Sequence, residues 1–358
     1  MLRRTFAFLC LASLGALCDR ALQVTFFPQS EPQLLGRVGE KFVTAATSPD
    51  GKWVAGLCSS GPEQWTVTVR ETASGRPLMA GPVAHPPGTT NPLAWSPDGR
   101  TLAVGGSGEV NLWEVAKGQR RTLTAEWLVR EVRFSQDWLL ARCDNAVFVW
   151  NWKTGRLVKR LGQDHLLAAA VDQTAGVLAT ASFQDSIRVY ALPQGKLVRT
   201  LAAGPAAVGL EFTEKGERLA SAFRYGRERG RDLGVYFDWR AGRQVHKMPE
   251  PDLVGFSVAA DGSRFLTRGP AGGHIWNPAK GKLVHEFSSP SLLTDSLSAD
   301  GKWVASLPSD QADLLVWSSD GQGQPHRLKH PNRPFRFQFF APGLLQVVDG
   351  ACSVWKVD

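Results

Sequence analysis

The sequence predicts an all-β fold: a single β-propeller of four-stranded antiparallel blades, eight in number, closed into a ring by an N-terminal strand. Three observations carry this. The turn sequence "SPDGKWVA" at 48–55 returns as "SPDGRTLA" at 96–103 and as "SADGKWVA" at 298–305. A segment ending in a large residue recurs at intervals of 37 to 47 residues, the spacing of a propeller blade. The composition, Gly 36, Pro 22 and Trp 13 against Met 3, favours turn-rich strands, and no helical stripe of globular length follows residue 25.

Each blade is built from four segments in order. The first is short and apolar, as in PLAWS, VREVRFS, VGLEFT, VGFSVA and RFQFFA. The Ser-Pro-Asp-Gly turn follows: proline presets the backbone, aspartate accepts from nearby amides and glycine takes the left-handed conformation. Asp50, Asp98, Asp261 and Asp300 therefore fall one per blade. Acids spaced around a ring cannot converge on one substrate, so they read as turn formers rather than catalysts. The second segment is mainly apolar: WVAGL, TLAVG, WLLAR, VLATA, RLASAF, RFLTR, WVASL and LLQVV. The third places Arg70, Trp113, Trp150, Tyr190, Phe237, Trp276, Trp317 and Trp355 at one phase. The fourth follows a glycine turn, as in "TGRLVKRL" and "QGKLVRTL".

Seven units are complete, and the eighth has three segments before Asp358. Residues 22–36, LQVTFFPQSEPQLLG, hold two short apolar runs, either of which supplies the missing strand. Joining the termini in one blade removes an open sheet edge. A unit of this size buries too little surface alone, whereas stacking on two neighbours covers both faces of each sheet. One domain over 19–358 is therefore expected. Seven blades, with one degenerate unit, is the alternative.

The N-terminus has two arginines, then an uncharged run from Thr5 to Cys18 and a charged pair, the layout of a signal peptide over 1–18. The run is too short for a membrane span. The expected localisation is therefore exported, periplasmic or extracellular; it is cytoplasmic if the segment is instead part of the domain. Removal of 1–18 leaves Cys58, Cys143 and Cys352. This odd number reads as buried thiols, with Cys58 to Cys352 the one conceivable bridge. No Cys/His spacing resembles a metal site, and no cofactor is implied. The net charge of +8 is modest for such a length, without the dense basic stripe and stacking aromatics of nucleic-acid binding.

The repeated turns, tryptophan-ended strands and glycine-led fourth strands resemble the WD-repeat β-propeller family over about 40–358, most closely in "LATASFQDSIRVYALPQGKLVRTL" at 178–201. The signature Trp-Asp dipeptide is absent, and no Gly-His dipeptide opens a repeat. The family's His-Ser-Asp-Trp hydrogen-bond relay is thus expected to be incomplete, with Ser182 and Asp185 as its remnants. This divergence is similar to that of exported bacterial relatives.

The resemblance puts partners on the face built by the fourth-to-first and second-to-third connections. The longest excursion there is "FRYGRERGRDLG" at 223–234. Its Arg224, Tyr225, Arg227, Arg229 and Arg231 suit an acidic peptide, phosphate or anionic glycan, because guanidinium presents fork-shaped donors. Trp127 is the best single anchor. His165, with His85 and His330, is placed on the same face. No nucleophile elbow, P-loop or HExxH motif occurs. The expectation is a monomeric, non-catalytic scaffold that binds a protein or peptide. The alternatives are a hydrolase-like or lyase-like enzyme with its site at the central channel, marked by three or more converging polar groups, and a glycan binder, marked by exposed aromatics repeated blade by blade.

Overall fold

A computed structural model describes residues 31–39, 41–61, 64–83, 92–183, 186–201, 206–224, 232–288, 296–308 and 313–357. The segment 1–18, the first apolar run of 22–36, His85, Asp185, Tyr225, Arg227, Arg229 and Arg231 lie outside the described residues.

The described chain forms thirty-two strands in eight sheets of four. Blade one shows the plan: Thr44–Thr47, Trp53–Gly61, Gln64–Glu71 and Pro77–Val83 pair in sequence order, each antiparallel to the next. Six further blades repeat it. In the eighth, Arg336–Ala341, Leu344–Val348 and Cys352–Lys356 take Gln33–Val38 as their fourth strand. The second of the two candidate N-terminal runs therefore closes the ring, reaching two residues beyond the expected boundary.

Burial explains why closure is needed. The core divides into eight apolar clusters, each made by two neighbouring blades. One of them joins Val348, Cys352 and Val354 of the eighth blade and Val38 of its N-terminal strand to Phe42, Ala45 and Val54 of the first. Without Gln33–Val38 that interface would lose one wall, and at about 25 cal/mol per Å² of apolar surface a single buried Val38 contributes roughly 1.5 to 3 kcal/mol. First strands of adjacent blades touch one another and line the centre, which leaves fourth strands on the outer edge.

The turn aspartates do what their sequence implies. Asp50 Oδ1 accepts from Ser48 Oγ at 2.7 Å and from the Lys52 amide at 3.1 Å, while Ser48 Oγ accepts from the Trp53 amide. Asp98 and Asp300 repeat the set. Gly51, at φ +75°, shows why glycine is required there.

A second repeated device holds the outer rim. A fourth-strand side chain of one blade reaches a backbone carbonyl in the next blade's third-to-fourth turn: Arg121 to Lys153 (3.1 Å), Lys159 to Gln194 (3.0 Å) and Arg199 to Arg240 (2.9 Å). His246 Nε2 lies 3.1 Å from the Ala279 carbonyl in the same way. The turn glycine gives these groups room, since a Cβ on Gly195 would stand 2.2 Å from Lys159.

Candidate functional site: a cleft on the loop face

The second-to-third turn of blade three, Cys143–Asn145, is gripped from both sides by fourth-to-first connections. On one side Arg130 makes a bidentate contact with Asp144, both bonds at 2.8 Å, and its amide bonds to the Arg142 carbonyl. On the other side the Gln163 amide bonds to the Asn145 carbonyl and the Leu166 amide to the Asp144 carbonyl. The His165 amide meets Asn145 Oδ1 at 3.3 Å. Between the latter connection and the Ser182–Phe183 end of blade four lies a cleft of about 580 Å³, lined by Asp144, Asn145, Asp164, His165, Leu166, Leu167, Ser182 and Phe183.

Three features set this cleft apart from the rest of the loop face. Phe183 is 59% exposed and Trp127, beyond the Arg130 side of the same turn, is 53% exposed. Trp127 and His165 both adopt left-handed backbone, φ +56° and +53°, a conformation uncommon for side-chain-bearing residues that over-determined structure must hold. Arg130 keeps the Asp144 carboxyl below the usual carboxylate range, and Arg160 does the same for Glu126 beside Trp127. Burial, reinforced by Asp144, pushes the Cys143 thiol up to about 12, which makes it a packing residue rather than a nucleophile.

Beneath the cleft a charged chain enters the central channel. Arg142 Nη1 donates to the Leu166 carbonyl and its Nε to Glu131. Glu131 also accepts from Arg133, which pairs with Glu211 of blade five, missing out blade four. Burial alone would raise the Glu131 pKa, but Arg133 and Arg142 outweigh it and hold it low. Glu211 in turn holds Arg133 more firmly protonated.

Elsewhere the loop face departs from the expected relay. In blade four Thr180 Oγ1 donates to Gln163 Oε1 at 2.6 Å, and Ser182 lines the cleft. In blade six Trp276 Nε1 donates to Thr267 Oγ1 (2.9 Å), and Thr267 and His274 both meet Glu250 Oε2 at 2.7 Å. His330 is not a surface loop residue. Its side chain is 1% exposed, packed edge-on against Trp355 and 4.0 Å from Asp349.

Among the sequence candidates the structure joins His165 to the cleft and sets Trp127 across one turn from it. Arg224 is elsewhere, its Nε bonded to the Leu253 carbonyl of the next blade. Sequence reasoning missed Asp144, Asn145, Asp164 and Phe183; the available signal was an aromatic at the loop end of a second strand, in "ASFQD". None of Cys58, Cys143 and Cys352 is in a disulfide. No metal-binding cluster occurs among the described residues, and no helix among them is long and apolar enough to cross a membrane.

Comparison with known proteins agrees with this architecture. The family model described as "WD domain, G-beta repeat" matches residues 93–114, the first three strands of blade two. No curated protein sequence matches the chain. Among solved structures, the computationally designed Ika8 protein superposes with a TM-score of 0.71 at 16% identity, over 91% of this chain and 100% of that one. The C-terminal WD40 domain of Sif2 gives 0.69 at 15%, over 92% and 99%. A chain of Kuenenia stuttgartiensis hydrazine synthase gives 0.58 at 12%, over 76% and 97%. Identities this low speak to the fold alone. The chain is thus an eight-bladed β-propeller, one blade of which matches the WD-repeat model.

Proposed function

We propose that the protein is an exported, non-catalytic scaffold that holds a protein or peptide on its loop face, with the cleft between blades three and four as the principal contact. WD-repeat propellers are in general protein-interaction scaffolds, which supports the broad reading. The observation that carries the local one is the pairing of exposed Phe183 with a cleft whose carboxylate, amide and imidazole groups face outward. An aromatic anchor beside oriented polar groups is the usual composition of a binding hot spot. The Arg-rich segment 224–231 provides a further contact for an acidic stretch of the partner.

A second reading, an enzyme at the channel, rests on the convergence of Glu131, Arg133, Arg142 and Glu211. Their mutual pairing favours the scaffold, since two carboxylates balance two guanidinium groups and Glu131 is held ionised. The glycan reading required aromatics at equivalent positions. Trp127, Phe183 and Phe335 instead arise from a strand end, a second-to-third loop and a fourth-to-first loop.

The test is capture from the native exported fraction with the wild-type chain and with Trp127→Ser/Phe183→Ser as paired baits. A partner held by the wild type should be lost from the double variant, whose melting temperature stays unchanged. Equal retention by a folded double variant would remove the cleft from consideration.

A further inference from the structure

The outer edge of the ring carries a charge pattern that neither the fold nor the cleft requires. The fourth strands of blades two to six are Gln119–Leu128, Arg156–Gly162, Lys196–Leu201, Arg243–Pro249 and Lys282–Ser288. They hold Arg120, Arg121, Arg156, Lys159, Arg160, Lys196, Arg199, Arg243, Lys247 and Lys282 against two carboxylates, Glu126 and Glu286. Glu126 is committed to Arg160, and Glu286 lies 3.7 Å from His274. Arg121, Lys159 and Arg199 clasp neutral carbonyls, which orients them without neutralising them. Arg156, Lys196, Lys247 and Lys282 are exposed and make no ion pair within the described residues.

Charges on an edge strand guard it against pairing with another sheet, and that accounts for some of them. It accounts for the lysines, the usual guards of an edge, but not for Arg120, Arg121, Arg156, Arg160, Arg199 and Arg243 beside them. Nor is charge obligatory there: the fourth strand of blade one, PLMAGPV, carries Pro77 and Pro82 and no charged residue. Ten cationic side chains against two carboxylates over five consecutive blades point to a partner outside the chain.

We propose that this belt binds a flexible anionic polysaccharide, through its sulfate or carboxylate groups. A belt around the convex rim of five of eight blades suits a chain that can follow it; a flat bilayer would meet one arc only. Single-stranded nucleic acid needs a series of aromatic platforms for its bases, whereas among the described residues the belt strands expose a lone large aromatic, Trp127 of blade two, beside Leu157, Leu197 and Leu283 of blades three, four and six. Guanidinium and ammonium groups without local counter-charges supply the donors and the field.

Heparin is the probe. The variant Arg156→Gln/Lys196→Gln/Lys247→Gln/Lys282→Gln is compared with Lys52→Gln/Arg100→Gln/Lys215→Gln/Lys302→Gln, which removes the same charge from first-to-second turns. The rim variant should bind heparin roughly tenfold more weakly at about 0.1 M salt with a shallower salt dependence, because fewer counterions are released; the turn variant should stay near wild type. Should the fourfold rim variant unfold, Lys196→Gln/Lys282→Gln should show a smaller loss of the same kind. Equal losses in the rim and turn variants, or no heparin binding by the wild type, would overturn the proposal. So would binding of a single-stranded oligonucleotide or of phosphatidylglycerol vesicles as tight as that of heparin and lost by the same rim variant. Phe183→Ser, which lies off the belt strands, should bind heparin normally, so this outcome is independent of the cleft.

Discussion

Asp144 and Asp349 sit in the same turn, between second and third strands, of the third and eighth blades, and each meets an arginine through both carboxylate oxygens. Their surroundings differ. Asp349 has no exposed side-chain surface, whereas Asp144 is 51% exposed. Arg37, which holds Asp349, comes from the N-terminal strand and also donates to Ser353 Oγ at 2.7 Å; Arg130, which holds Asp144, comes from the preceding connection of its own blade. One pair sews the ring shut. The other shapes the rim of a cleft, in water, where the energy of the pair is largely screened.

The largest effect that separates them is loss of the arginine. Arg37→Met leaves a buried carboxylate without its cation, and unfolding in denaturant should show a loss of about 3 to 5 kcal/mol. Arg130→Met should cost only about 0 to 1 kcal/mol, as exposed pairs do, while altering capture of any partner at the cleft. Comparable losses for the two variants would erase the distinction between closure and recognition.

The sequence shows the fold more readily than this distinction because each repeat writes its own phase locally: the turn, the apolar second strand and the Trp150 or Trp276 of the third are read without knowing the neighbours. The cleft has no such script. Its residues come from 144–145, 164–167 and 182–183, three connections that adjoin only when blades three and four stack. Phe183 reads as the end of a buried strand, and only the loop geometry shows it to be exposed. The same limit applies to His330, which in "KHPNRP" reads as a surface turn residue. Its side chain is buried against Trp355 and Asp349 of the eighth blade, which only the strand pairing brings to it. Burial that depends on distant pairing leaves no local trace.

His330 gives an intermediate effect and a pH dependence. Burial keeps its pKa below the ordinary 6.5; Arg37 adds to this, while Asp349 and Asp313 oppose it. The unfolded chain therefore binds more protons than the folded chain in the window just below 6.5. Stability from this group is complete above that value and is lost as pH falls through the window. The melting temperature of the wild type should decline between about pH 7 and about pH 5.5, before most carboxylates titrate. His330→Phe should flatten that decline, whereas Asp144, on the exposed side of the comparison, should contribute nothing to it. An identical decline in His330→Phe would assign the dependence to another group.

The smallest effect concerns what the eighth blade lacks. It keeps His330, Asp349 and Trp355 of the relay that the family resemblance implies, but Trp355 Nε1 and His330 Nε2 are both buried without a hydrogen-bond partner. In blade six Trp276 is registered with Phe265 and bonds to the hydroxyl of Thr267 two residues on; in blade seven Trp317 is registered with Val304 and bonds to Ser306. Trp355 is registered with Leu345, so the corresponding position is Val347, which has no hydroxyl. Val347→Thr places one there with almost the same volume, able to accept from Trp355 Nε1 and donate to His330 Nε2. Satisfying two buried groups should raise stability by about 1 kcal/mol, a gain that disappears in Val347→Thr/Trp355→Phe. A threonine that destabilises the chain would show that the hydroxyl cannot reach both partners, and that the closing pair of Arg37 and Asp349 has taken over the relay's structural role rather than supplementing it.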